Sequence, residues 1–326
     1  AMQKHLTGIS IMNNGGYSMV ANGVHRGTDA FIPGYGFATL TDGYIDQPLT
    51  GDQIDPTENM FYHTFETSDP NKLNYMNDKG SVVGDLIGYH SGAYFGTFMN
   101  ETKTGYEWVK DLATEDRPYM VDEEGNRIDD HKGVRFRVPL LTSEVKYDTK
   151  TLDPALAEFD GRAVELEDYV TPYKVYYTSA YGMVRGSENL NKSGSIKGTE
   201  KYYAESADGF NAAEWEKVGI KTYTDGDEKG LEFEFNIACT PFYAMYYLAS
   251  GMFAPVPADF INALGKISKP EATGDELFKE GTKNWGCFIG SGASITHTPF
   301  PEFTAIINFS HIFLFLTYID YCIMHR

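Results

Sequence analysis

Leu231-Glu232-Phe233-Glu234-Phe235-Asn236-Ile237 alternates apolar and polar side chains without a break. A period of two marks a β-strand with one buried face. It predicts Leu231, Phe233, Phe235 and Ile237 toward a core, and Glu232 and Glu234 toward solvent. A register slip of one residue would expose all four apolar groups, at about 1.5–3 kcal/mol for each large side chain. Upstream, Val218-Gly219-Ile220-Lys221-Thr222-Tyr223 reads as a partner strand, and the stretch 225–230 between them as a turn. Together they predict a β-hairpin. The turn imitates a calcium loop through Asp225, Asp227 and Gly230. Its fifth position is Lys229, however, and its twelfth is Asn236 where a bidentate Glu belongs, so no metal is expected there.

Working outward, Val134-Arg135-Phe136-Arg137-Val138 alternates apolar with cationic side chains and predicts another half-buried strand. After Gly161 a helix is expected, with Glu165, Glu167 and Asp168 in its first turn, where the helix dipole favours acids. Pro172 is compatible with that helix only near its start. Tyr169, Tyr173, Tyr176, Tyr177, Ala180 and Val184 recur at helical spacing, the pattern of a core face or of a ligand shelf. Over 240–264 a short apolar helix is broken at Phe253-Ala254-Pro255-Val256-Pro257 and restarts at Ala258. Near the other end, 61–66 predicts a strand, 67–70 a turn and 82–89 a short helix, while 1–60 is rich in turn residues. Gly34-Tyr35-Gly36 lacks the spacing of a phosphate-binding glycine loop.

The chain has 326 residues, with 42% hydrophobic and 22% charged, the composition of a soluble globular protein. Its 23 Tyr and 21 Phe either fill β-rich cores or offer ring faces to ligands. A net charge of −19 argues against nucleic acid and anionic membrane surfaces as partners, since both need clustered Lys and Arg. Cys239, Cys287 and Cys322 form no CxxC and no zinc spacing, so neither a disulfide framework nor a zinc site is indicated. The start, Ala1-Met2-Gln3-Lys4-His5, lacks the apolar core of a leader, as expected of a cytosolic chain or of a mature one whose leader has been removed. The uncharged run 303–319 is just short of a membrane span. It is expected to be a buried segment or the product of a truncated or frame-shifted gene, with a membrane anchor as the alternative.

Several stretches, taken in order, resemble the extracellular oligopeptide-binding proteins of ABC transporters. FYHTFETSDPNKLNYM at 61–76 resembles a family strand followed by a Pro turn and Leu-Asn-Tyr. Gly161-Arg162-Ala163-Val164 through Val170 resembles a family helix start, and 181–202 an aromatic helix running into Ser-Ile-Lys-Gly. The 218–223 strand, the hairpin, Pro241-Phe242-Tyr243 and 253–260 complete the series. The resemblance covers about 60–270. No counterpart is recognised for 1–58, or for a second lobe after residue 270.

The resemblance implies an α/β, periplasmic-binding-protein-like lobe: a mixed sheet flanked by helices, with a smaller subdomain inserted at about 90–210. In this reading 1–58 is an unassigned segment, 59–270 the first lobe and 271–326 an atypical apolar tail, the second lobe being largely missing. The implied function is peptide capture in a cleft, without catalysis, cofactor or metal. The implied partners are oligopeptides and the permease subunits of an ABC importer, and the implied location is extracellular, as a membrane-anchored lipoprotein at full length. Thr64, Leu73, Asn74, Tyr75, Phe242 and Tyr243 are the implied ligand contacts. Asn74 can both donate to and accept from a peptide backbone. With one lobe only, peptide binding is expected to be weak or absent, because backbone hydrogen bonds on an open face each contribute only about 0.5–1.5 kcal/mol.

No GxSxG nucleophile motif is present, and His63, His90, His131, His297, His311 and His325 fall in no triad or metal spacing. Many carboxylates leave a glycosidase-like pair open, so a carbohydrate-active or carbohydrate-binding surface protein is the alternative function. A structural or surface-display fragment without ligand is a third.

Overall fold

The computed structural model describes residues 24–25, 44–45, 76–77, 94–99, 106–147, 154–183, 196–248 and 253–283. The expected strand at 61–66, turn at 67–70, helix at 82–89 and apolar run at 303–319 lie outside these residues. The strands among them are β1 (Val24–His25), β2 (Tyr44–Ile45), β3 (Phe95–Met99), β4 (Tyr106–Lys110), β5 (Tyr119–Val121), β6 (Arg127–Ile128), β7 (Gly133–Pro139), β8 (Ile220–Asp225) and β9 (Glu228–Cys239). β1–β2 and β3–β4 form two-stranded pairs. The main sheet has five strands in the order β6-β5-β7-β9-β8.

Every described pairing in that sheet is antiparallel, which corrects the expectation of a mixed sheet. The reason is local. Parallel neighbours need a crossover of a dozen or more residues. Here β8 turns into β9 through Gly226 and Asp227 alone, and β5 into β6 through a short turn. The β8–β9 loop is tighter than the six residues expected. Gly226 has φ 61, as a two-residue hairpin loop demands at its first central position.

The alternation at 231–237 holds through its first five residues. Leu231, Phe233 and Phe235 are buried with Phe136 and Val138 of β7. Ile237 breaks the pattern and is 79% exposed. Arg135 pairs with Glu234 and Gly133 with Cys239, so β9 advances five residues while β7 advances two. The surplus bulges outward and carries Ile237 away from the core. Gly230 shows the opposite constraint. A Cβ there would stand 2.0 Å from the Val138 carbonyl oxygen, so only glycine lets β7 lie this close to β9.

The helices are α1 (Thr171–Tyr177), α2 (Thr199–Ala204), α3 (Ala212–Trp215), α4 (Pro241–Leu248), α5 (Ala258–Ser268) and α6 (Asp275–Lys283). The acids expected in the first turn of α1 instead occupy a separate 3-10 turn, Leu166–Tyr169, with Glu165 capping it. Pro172 lies in the first turn of α1, where its missing N–H costs nothing. Tyr169, Tyr173, Tyr176 and Tyr177 are all shut from solvent, so this stripe is core among the described residues. Tyr173 stacks on Phe253 at 4.3 Å between ring centroids and meets Phe233 edge-on at 5.6 Å. Phe159 and Phe260 meet at 5.2 Å. Residues of the expected insert (Phe136, Tyr173, Tyr202) and residues beyond it (Phe233, Phe253, Phe260) thereby belong to one apolar cluster.

Past residue 270, α6 packs against α5 through glycine contacts. A Cβ on Gly265 would meet the Leu277 carbonyl oxygen at 1.9 Å, and one on Gly281 the Ile261 carbonyl oxygen at 1.9 Å. α6 is also tied inward, since the Tyr181 hydroxyl donates to Asp275 at 2.6 Å and Lys279 donates to the Asp208 carbonyl at 2.6 Å.

Candidate functional site

Of the six residues singled out by resemblance, Thr64, Leu73, Asn74 and Tyr75 lie outside the described residues. Phe242 and Tyr243 lie in the first turn of α4 and are exposed, at 60% and 44%. The Thr240 hydroxyl accepts the Tyr243 N–H at 3.2 Å, which fixes this turn. The exposed Ile237 precedes it on β9, and the exposed Val134 lies on β7 opposite the bulge. An apolar rim thus stands at one end of β7 and β9.

The other feature is a polar cleft of about 350 Å³ on the outer face of the sheet, away from the aromatic core. Tyr119, Gly125, Asn126, Arg127, Arg137, Asp225 and Glu228 line it. The pleat explains the assembly. Tyr119 is opposite Arg137, and Arg137 opposite Glu232, so these side chains project from the same face. Gly230 is opposite both Tyr223 and Pro139 and puts no side chain between β8 and β7. The Arg137 guanidinium reaches to 4.4 Å from the centre of the Tyr223 ring. Arg127 stands 4.5 Å over the Tyr119 ring in the same manner.

Carboxylates hold these cations in place. Glu232 accepts from Arg135 through one oxygen and from Arg137 Nε through the other, at 3.0 Å. The Glu232 side chain is only 13% exposed, so the expectation that it faces open solvent is corrected: two guanidiniums cover it. Arg137 also donates to Asp225 at 3.3 Å. Glu228 takes the hydroxyls of both Tyr119 and Tyr223 on one carboxylate oxygen, the latter at 2.8 Å, and so bridges the two hairpins. Burial and these bonds push both phenols above their ordinary range, so both remain protonated donors at neutral pH. Sequence reasoning missed this cleft. Its only signal was the cationic half of the 134–138 alternation.

Among the described residues no group of His, Cys, Asp and Glu is placed to hold a metal ion. Cys239 is a free, buried thiol whose pKa burial pushes up to about 11, far from the range of a reactive thiolate. Tyr94, Tyr147, Tyr169, Tyr173, Tyr176, Tyr177 and Tyr202 are fully buried, so much of the aromatic excess is spent on packing rather than on a glycan-binding surface. No described helix is long and apolar enough to cross a membrane.

No family model and no curated protein matches the sequence. Among solved structures, the chain is similar to Listeria monocytogenes OppA bound to peptide, with 14% identity and a TM-score of 0.43. The match covers 69% of this chain and 34% of that one.

Proposed function

We propose that this chain is a part of a peptide-binding receptor of the oligopeptide-importer type, and not an enzyme. One observation carries the reading. The segments that resemble that family between 161 and 260 are far apart in sequence yet meet in one core. The Val256 N–H donates to the Asp168 carbonyl at 3.0 Å, joining the stretch around the prolines to the turn before α1. Tyr173 of that helix lies between Phe253 and Phe233, the latter from the hairpin. The scattered motifs thus belong to one folded unit, as the resemblance requires.

In this reading an extended peptide is held by main-chain pairing with side-chain pockets, and Thr64, Leu73, Asn74 and Tyr75 contact it together with the rim of Phe242 and Tyr243. The permease subunits of an importer are its partners. It works outside the cell, as a membrane-anchored lipoprotein in its full-length form. Titration calorimetry of the chain with a mixed peptide library and, separately, with a glycan set tests the proposal. Heat is expected from peptides alone, with Kd no tighter than about 1 μM, or roughly −8 kcal/mol, because backbone hydrogen bonds that compete with water each contribute little. Replacing Phe242 and Tyr243 together by Ala should weaken it further. Heat from glycans with none from peptides would replace this reading with the carbohydrate one.

A further inference from the structure

The outer-face cleft contains none of the residues assigned to peptide contact, so its chemistry needs its own account. Its lining sets Arg127 and Arg137 against Asp225 and Glu228, two charges of each sign, in a chain of net charge −19. A simple anion would meet two carboxylates there and a simple cation two guanidiniums. An apolar guest would cover the exposed Arg127 and Asp225 side chains without giving either a partner in place of water. The ligand class that satisfies both signs carries both signs itself.

We propose that the cleft binds a zwitterion of free-amino-acid size, its carboxylate on Arg127 and its ammonium between Asp225 and Glu228. Arg127 has donors to give. Its contact with Glu115 is 3.5 Å, longer than the 2.7–2.9 Å of a well-made charge-assisted bond, and its side chain is 56% exposed. Arg137 is different. It is committed to Glu232, Asp225 and the Tyr223 ring, and serves as the floor. Glu228 receives both phenols on one oxygen, and Asp225 receives Arg137 on one oxygen, so each carboxylate keeps a second oxygen for an ammonium. Asn126 also lines the cleft and is fixed there by Asp122, which accepts from its side-chain amide at 3.0 Å and from its backbone N–H at 2.7 Å. Gly125, at φ 86, lets the β5–β6 turn descend on the floor, since a Cβ there would be 2.6 Å from Arg137 Nη2. The Glu228 bridge holds the two hairpins together at the mouth. A volume of about 350 Å³ suits a small guest.

The test uses guests too short for strand-like peptide pairing. Saturation-transfer NMR on the 326-residue chain is run with a mixture of free amino acids, and in parallel with N-acetyl-alanine amide, which has neither charge. Transfer is expected to the free amino acids and not to the blocked compound. Arg127→Gln and Asp225→Asn alter exposed side chains and should leave the chain folded, with Arg137 still held by Glu232, yet each should weaken binding about tenfold or more, the worth of one charge-assisted bond. Both variants should bind the peptide library as the wild type does, which separates this site from peptide capture. The proposal is overturned by the absence of transfer to any free amino acid, by equal transfer to the blocked compound, or by unchanged affinity in either variant.

Discussion

On the core face of the five-stranded sheet, Phe136, Val138, Leu231 and Phe233 are shut from solvent, and Phe233 meets Tyr173, which stacks on Phe253. On the outer face, the same strands carry Arg135, Arg137, Glu232, Tyr119 and Tyr223, joined by ion pairs, shared hydroxyls and guanidinium–ring contacts. The first face is held by non-directional burial, which tolerates exchange among apolar residues of similar volume. The second depends on each partner being present, because a half-buried charge left alone costs more than the pair contributes. The two faces therefore differ less in strength than in how they fail.

The largest expected effect comes from the core face. Phe233→Ala should cost about 3–5 kcal/mol, the usual penalty for removing a fully buried aromatic ring. Denaturant unfolding should show the unfolding free energy falling by that amount, with the midpoint moving down in proportion. A cost under about 1.5 kcal/mol would mean that the Tyr173 and Phe253 rings collapse into the space, and that the core is less tightly specified than its packing indicates.

On the outer face, Glu232→Ala leaves Arg135 and Arg137 side by side without their shared acceptor. A loss of about 1–3 kcal/mol is expected, short of a fully buried pair because both guanidiniums retain some solvent. High salt should reduce the difference between wild type and variant, by screening the two cations from each other. The same salt should leave the Phe233→Ala difference in place. A salt-independent cost at Glu232 would show that its role is packing.

The turn before α1 offers a comparison within the core. Asp168 is a buried carboxylate among tyrosines. Burial raises its pKa above the ordinary 3.8, and this outweighs the lowering by the Glu165 N–H and the Tyr147 hydroxyl, each donating at 2.9 Å. The folded chain thus holds this proton more tightly than the unfolded chain does. The group's contribution is fully present below 3.8, and is lost as pH rises through the folded value. Glu144 has the opposite sign: backbone N–H donors hold it below its ordinary range, so its contribution is lost on acidification. Asp168→Asn removes only the first behaviour. The stability of wild type minus variant should rise as pH falls from neutral toward 4, in a pH series of unfolding midpoints. A difference that is flat with pH would show Asp168 to be ionised at no cost.

What was legible in the sequence follows from these physical differences. Alternation revealed the β9 core face because burial enforces a period of two, and the Tyr stripe because a core-facing helix repeats its contacts. The direction of the sheet was obscured by the resemblance, although the short loops flanking the hairpins already required antiparallel neighbours. The cleft was illegible for a different reason. It joins side chains from β5, β6, β7, β8 and β9, and their meeting depends on a glycine at 230 and on strand order, neither of which is a local pattern.

The failure at Ile237 gives the smallest prediction and the sharpest contrast with Phe233. Both residues belong to the same alternating run, four positions apart on the same nominal face. Phe233 lies where β7 and β9 stay in register. Ile237 lies where β9 gains residues on β7, and it is left 79% exposed. A side chain in water contributes nothing through burial, and threonine keeps the branched Cβ that suits extended backbone. Ile237→Thr should therefore change stability by no more than about 0.5 kcal/mol, the range of surface substitutions. It should also lessen self-association at high concentration, because it removes one of the most exposed large apolar side chains among the described residues. Paired unfolding curves decide the matter. If Ile237→Thr cost as much as a core substitution, the period of two would extend through residue 237, and the bulge would not be the feature that ends the core face of β9.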